Sequence, residues 1–212
     1  MRRQPLFLVF EGIDGSGKST QADLLFRHVS SRGLSAVRLA EPTDGKWGSQ
    51  IRVMLREKNM LPVLEQHKLF LMDRKDDAER NIIPALNENR IVIMDRYYYS
   101  NAAYQGALGI PPERIIRENR EMQVPEPDRV YYIDIPPDIA AQRVTGRNNA
   151  QDIFERESFL KKVRGIFRSV ADEKFLAIDG TKKVEEIFEI IKADFEALLG
   201  SCPPTPPGGG LP

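Results

Sequence analysis

Cysteine is nearly absent from this chain: Cys202 stands alone among 212 residues, so no internal disulfide can form. The two histidines, His28 and His67, lie far apart in the sequence and with a single thiol offer no zinc-ligand cluster. Such a chain suits a reducing compartment, and a cytoplasmic protein is expected. Neither sign of charge is in excess, with 31 Lys and Arg against 31 Asp and Glu. Proteins that coat nucleic acid or an anionic membrane need a basic surplus, so neither partner is expected. The partner should be a small molecule whose charge is met locally. Long apolar runs are also missing. The run at 6–10 follows Arg2 and Arg3 in the manner of a secretion leader, but it is too short and breaks at Glu11. Nothing approaches the ~20 apolar residues of a membrane span.

What the chain does have is alternation of short apolar runs with amphipathic stretches. Strands are expected at 6–11, 35–39, 91–95, 130–135 and 175–178, and helices at 18–32, 47–57, 64–88, 112–122, 137–145, 155–172 and 184–199. Short, wholly apolar strands separated by helices predict an α/β fold with a mostly parallel sheet covered on both faces. At 212 residues, one domain over 1–200 is expected, followed by a disordered tail at 201–212 that is rich in Pro and Gly. The third helix carries an unusually polar stretch from Asp73 to Asn81 with one apolar residue, Ala78, and solvent is the expected environment for most of it.

Between the first strand and the first helix, Gly12-Ile13-Asp14-Gly15-Ser16-Gly17-Lys18-Ser19 matches G-x-x-x-x-G-K-[ST]. Glycines there let successive backbone N–H groups face phosphate oxygens, and the helix that begins next adds partial positive charge. The nucleotide contacts expected are Gly12, Ile13, Asp14, Gly15, Ser16, Gly17, Lys18, Ser19 and Thr20. Lys18 would reach the β- and γ-phosphates, and the Ser19 hydroxyl would ligate Mg²⁺. The Asn-Lys-x-Asp element by which GTPases read guanine is absent. The third strand ends in Asp95, a carboxylate beside the phosphate loop and a natural direct or outer partner for Mg²⁺. Arg96 leaves the same strand end, where transferring phosphates would converge.

Four segments carry a resemblance to a known family: Phe10 through Gln21, Glu41-Pro42, Phe70 through Arg74, and above all Asp95-Arg96-Tyr97-Tyr98-Tyr99-Ser100-Asn101-Ala102-Ala103-Tyr104-Gln105-Gly106. From Phe10 to about Asp179 the chain resembles the thymidylate kinases, within the P-loop nucleoside monophosphate kinases. The resemblance implies a three-layer P-loop NTPase fold, a five-stranded parallel sheet with helices on both faces and a mobile lid. It also implies ATP and Mg²⁺ as cofactors, dTMP as acceptor, and a homodimer. In the family the residue matching Asp14 contacts the acceptor sugar, Phe70 would stack on thymine, and Arg74, one turn later, would bond its edge. Asn101 would meet the N3–O4 edge, Tyr104 would press on the deoxyribose, and Gln105 would complete the pocket. Arg96 would hold the acceptor phosphate, and Glu41 faces the site.

Two nucleotides end to end gather about six negative charges, and a single like-charge pair ~5 Å apart costs on the order of 3 kcal/mol at an effective dielectric of ~20. More cations than Lys18 and Arg96 are needed. Some thymidylate kinases place an arginine in the phosphate loop and others in a lid. Gly15 stands at the loop position, so the chain resembles the lid type, with Arg143 and Arg147 in a lid at about 143–157 expected to close on the γ-phosphate. Two departures stand out. Ile153 replaces a lid arginine, leaving Arg147 or Arg156 to take its place. Ala40 and Thr43-Asp44-Gly45 replace the family's Arg and Gly-Gly-Thr around the Glu-Pro pair, and Arg52 is the candidate for the missing charge.

The function expected is ATP-dependent phosphorylation of dTMP to dTDP by in-line transfer. A kinase of another pyrimidine monophosphate or of a deoxynucleoside is the alternative, together with a weakly catalytic nucleotide-binding member of the family, suggested by Ile153 and Ala40.

Overall fold

The computed structural model describes residues 5–57, 60–144 and 150–201. Its strands are β1 (Phe7–Glu11), β2 (Ala36–Ala40), β3 (Ile91–Asp95), β4 (Arg129–Asp134) and β5 (Phe175–Asp179). They form one sheet in the order β2-β3-β1-β4-β5, with every neighbouring pair parallel. The described helices are α1 (Lys18–Ser31), α2 (Lys46–Glu57), α3 (Val63–Asp77), a π-helical turn at Ala78–Ile82, α4 (Ile83–Asn87), α5 (Tyr98–Ala107), α6 (Pro112–Glu121), α7 (Pro137–Val144), α8 (Ala150–Ser169) and α9 (Val184–Ser201).

Period-2 alternation divides the strand side chains between two cores. Phe7, Val9, Val92, Met94, Val130 and Tyr132 join Ala103 of α5 and Leu160, Val163 and Phe167 of α8. Leu8, Phe10, Ile91, Ile93, Tyr131 and Ile133 face the other way, against Leu25 and Val29 of α1 and Ile191 and Phe195 of α9. Each such large apolar side chain contributes roughly 1.5–3 kcal/mol of transfer free energy. This is the parallel sheet with helices on both faces that the sequence predicts.

The register brings the site together. Phe10 and Ala40 both pair with Asp95, so β1, β2 and β3 end level. From that edge the phosphate loop leaves β1, Glu41 leaves β2 and Arg96 leaves β3. Connections from β1 and β3 run to opposite sides of the sheet, which opens a crevice at the strands' carboxyl ends.

Three expectations need correction. Residues 98–107, given no helix by sequence pattern, form α5. The single helix expected at 64–88 is divided by the π turn at Ala78–Ile82, just ahead of Pro84, whose ring lacks an amide donor and crowds the preceding turn. The polar stretch expected in solvent is split: Asp73, Arg74 and Asp77 are at most 2% exposed, and Lys75, Glu79 and Arg80 are exposed. Residues 145–149 of the expected lid and 202–212 of the expected tail lie outside the described residues.

Candidate active site

The phosphate loop follows from local backbone chemistry. Gly12, Gly15 and Gly17 have φ of 151°, 83° and 95°. A Cβ on Gly12 would sit 2.6 Å from Ser16 Oγ and 2.7 Å from the Ile133 carbonyl oxygen, so no side chain fits there. Gly17 begins α1 in the left-handed conformation. Ser16 Oγ is buried without a hydrogen-bond partner among the described residues, a polar atom left for a ligand. Lys18 is 6% exposed, and its Nζ reaches the Ile13 carbonyl at 3.4 Å. Burial pushes the ammonium down to about 8, Arg96 adding to the effect and Asp14 opposing it. An anion delivered here would relieve that penalty.

Ser19 Oγ donates to Asp95 Oδ2 at 2.5 Å, while Asp95 Oδ1 is buried and unpartnered. A hydroxyl and a carboxylate with a spare lone pair are hard oxygen donors of the kind Mg²⁺ takes. No group of three or more His, Cys, Asp or Glu able to hold a metal occurs among the described residues. The donor set therefore fits an ion carried on two protein oxygens, with phosphate and water completing its shell. Arg38 Nη2 also reaches Asp95 Oδ2, at 3.2 Å.

Arg96 is held with care. Its φ of 68° lies in the left-handed region, a strain of roughly 1–3 kcal/mol for a non-glycine residue. The Arg96 N–H donates to the Phe10 carbonyl at 2.9 Å. Its guanidinium pairs with Asp14, donates to Ser100 Oγ at 2.8 Å and lies 5.2 Å from the centre of the Tyr104 ring. Tyr104 Oη in turn accepts the Asp14 N–H at 3.1 Å. Burial alone would raise the Asp14 carboxyl, but Arg96, Lys18 and Arg156 hold it below its usual range.

A residue the sequence reading left without a role organises this end. Glu11, fully buried, accepts the N–H groups of Tyr97 at 2.8 Å and Ser100 at 3.0 Å, and the Ser100 hydroxyl at 2.5 Å. It caps α5 from another strand, and burial raises its carboxyl despite these bonds. The available signal was an acidic residue closing an otherwise apolar strand.

Beside Arg96 lies a cavity of about 160 Å³, room for about five waters. Asp14, Glu41, Phe70, Arg74, Asn101, Tyr104 and Gln105 all line it, together with Leu55. Phe70 is half-buried, and Arg74 follows one turn later on α3. Arg74, 1% exposed, pairs with Glu41 and donates to Asn119 Oδ1 of α6 at 2.9 Å. Burial pushes the Glu41 carboxyl upward, Arg74 opposing and Asp77 and Asp73 adding to the rise. Glu41 Oε1 and Arg74 Nε have no hydrogen-bond partner among the described residues. Asn119 escaped sequence reading because only packing brings α6 here.

A second cleft, about 870 Å³, opens on the outer side of the Pro42–Thr43 segment between Arg38, Trp47 and Asp77. Arg52 does not line the 160 Å³ cavity. It donates to the carbonyls of Pro42 and Thr43 and to Ser49 Oγ, and pairs with Asp44, which clamps that loop. Arg143, near the end of α7, donates to the Gly15 carbonyl at 3.2 Å and the Gly180 carbonyl at 3.4 Å, poised over the phosphate loop. Thr20 lies exposed on α1. Arg147 lies outside the described residues.

Comparison with known proteins agrees with this geometry. The family model described as thymidylate kinase matches residues 10–191. The chain belongs to the thymidylate kinase family. It is 38% identical over 186 residues to the thymidylate kinase of Leptospira borgpetersenii, covering 88% of this chain and 91% of that protein. To the probable thymidylate kinase of Archaeoglobus fulgidus it is 40% identical over 194 residues, 92% of this chain and 96% of the relative. The thymidylate kinase of Akkermansia muciniphila is 42% identical over 188 residues, 87% and 88% of the two chains. The glycine loop at 12–19 and the residues that line the 160 Å³ cavity thus all lie within the matched segment.

Proposed function

We propose that this protein phosphorylates dTMP to dTDP with ATP as donor, in the cytoplasm. One observation carries the reading: in a member of the thymidylate kinase family, a cavity walled by Phe70, Arg74, Asn101 and Tyr104 opens beside Arg96 and the phosphate loop. Phe70 offers a face for the pyrimidine, worth roughly 1–3 kcal/mol of stacking. Arg74, fixed by Glu41 and Asn119, donates to a carbonyl on the base edge, and Asn101 meets N3. Tyr104 fills the space beside the sugar where a 2′-hydroxyl would project.

Arg96 takes the acceptor phosphate, its charge secured by Asp14. Lys18 and the loop amides take the donor phosphates, and Arg143 closes over them. Ser19 and Asp95 would hold Mg²⁺, which would draw charge from the phosphoryl oxygens. The acceptor oxygen is already anionic, so no side chain acts as nucleophile or base. Catalysis is alignment plus electrostatic stabilisation. ADP release measured with dTMP, dUMP, CMP, AMP and thymidine, each offered alone, tests the reading. Rapid release with dTMP supports it, and faster release with any other acceptor overturns it.

The family resemblance also supports pairing with a second copy. Val53 of α2, Met60 and Leu61 beyond it, and Leu64 and Met72 of α3 are exposed apolar side chains of the kind that association covers. Molar mass in solution by light scattering tests this, a monomer at micromolar concentration being the adverse result.

A further inference from the structure

From Asn101 and Gln105 in the wall of the base cavity a chain of polar side chains runs on to Gln66, His67 and Glu118, which have no part in the reading above. Gln66 Nε2 donates to the Leu61 carbonyl at 2.7 Å, and Gln105 Nε2 to Gln66 Oε1 at 3.4 Å. Asn101 Nδ2 donates to Gln105 Oε1 at 2.8 Å. His67 Nδ1 lies 3.1 Å from Asn101 Oδ1, and its Nε2 lies 2.6 Å from Glu118 Oε2. Gln66, His67, Asn101 and Gln105 are between 2% and 4% exposed.

The ends of the chain fix its direction. A backbone carbonyl only accepts, so Gln66 must turn its amide nitrogen to Leu61 and its oxygen to Gln105. Gln105 must then donate to Gln66 and accept from Asn101. Asn101 must donate to Gln105 and turn Oδ1 to His67, so His67 Nδ1 carries a proton. At the far end Glu118 is a carboxylate, paired also with Arg114 at 2.7 Å, and it accepts from Nε2. Both ring nitrogens of His67 therefore face acceptors, Asn101 Oδ1 on one side and Glu118 Oε2 on the other. No amide in the series can flip alone without setting two acceptors or two donors against each other.

We propose that His67 is a positioning residue that locks the Asn101 amide in one orientation and so makes the site choose thymine or uracil over cytosine. This rests on the reading of the cavity as the acceptor's base site. A freely turning asparagine offers donor and acceptor in either order and serves both bases. Thymine presents an N3–H donor beside the O4 acceptor; cytosine presents an N3 acceptor beside an amino donor. Arg74 on the same cavity only donates, which suits O4, and the neighbouring N3–H then needs the second lone pair of Asn101 Oδ1. Cytosine would set its N3 lone pair against that oxygen, and the amide cannot turn to relieve it while His67 and Gln105 hold it.

With two histidines in the chain, nitrogen NMR of the labelled protein at neutral pH reads His67 directly. Protons on both ring nitrogens are expected; a bare Nδ1 would mean a reversed amide and overturns the proposal. In kinetics, His67→Leu is expected to raise the KM for dTMP about tenfold, leave kcat within about twofold, and cut the preference for dTMP over dCMP about tenfold or more. His67→Gln, which restores an N–H donor, should recover most of that preference. Unchanged preference in folded His67→Leu overturns the proposal. If that variant does not fold, Glu118→Gln carries the same test, with a smaller loss of preference expected and none overturning it. Wild-type protein that releases no ADP with dTMP would sink the functional reading itself, whereas wild-type turnover with unchanged preference in the variants sinks only the role of His67.

Discussion

The two ends of the crevice to which we assign phosphoryl transfer are built differently. At the phosphate end, eight consecutive residues from Gly12 to Ser19 supply the amides, the ammonium and the hydroxyl, and Asp95 and Arg96 join them through strand register alone. The base end is assembled from three separate helices. Phe70 and Arg74 come from α3, Asn101 and Gln105 from α5, Glu118 and Asn119 from α6, and Asn101, Glu118 and Asn119 each bond a side chain more than thirty positions away. A local motif can bind phosphate in many proteins because backbone amides do the binding. A base pocket needs fixed side chains, and only tertiary packing fixes them.

This contrast can be broken by experiment. The largest effect is expected at the phosphate end: Lys18→Ala or Arg96→Ala should lower kcat by about 10³-fold or more, with far smaller changes in the KM for dTMP upon Lys18→Ala. Steady-state kinetics decides, and a kcat within tenfold of wild type would remove these residues from the transfer step. Next comes the joint between the two ends. Glu11→Ala strands the amides of Tyr97 and Ser100 at the start of α5 and should cost about 3 kcal/mol in denaturant unfolding. A loss under 1 kcal/mol would show that α5 does not depend on its cap.

At the base end, Phe70→Ala should raise the KM for dTMP by roughly tenfold to a hundredfold and leave ATP saturation alone. A change confined to kcat would contradict the assignment of the two ends. A fourth effect is one of sign. Lys18 is depressed to about 8 in the fold, so between that value and its ordinary 10.5 the unfolded chain binds more protons than the folded one. Stability of the free protein should rise with pH across that window through this group, by on the order of 3 kcal/mol at most, while kcat/KM for ATP falls as the ammonium is lost. Lys18→Arg should abolish the stability rise. The smallest effect is expected outside both ends: truncation after Ser201 should change kcat and melting temperature little, and an inactive truncation would put the tail inside the domain.

Much of this was legible in the sequence because the determinants were local. The glycines of the phosphate loop, the short apolar strands and the Asp95-Arg96 strand end announce themselves by spacing, and the β1–β3 edge follows from them. The base-pocket residues were named only through family resemblance, since Phe70 taken singly reads as a core aromatic and the stretch around Arg74 reads as a solvated face. Residues 98–107 gave no helical pattern because α5 is buried on nearly every side and its cap, Glu11, comes from another strand. The roles of His67 and Asn119 carried no local signal at all, and that of Glu11 only its place at the end of an apolar strand.

By itself, then, the chain determined a parallel sheet of alternating apolar strands and a glycine loop that can bind phosphate, since backbone geometry and period-2 burial depend on neighbours in sequence. The tertiary structure alone decided which carboxylate caps α5, which partners hold Arg74, and which way the Asn101 amide points. Those are choices among buried polar groups, and desolvation makes each one binding only when distant segments have closed around it.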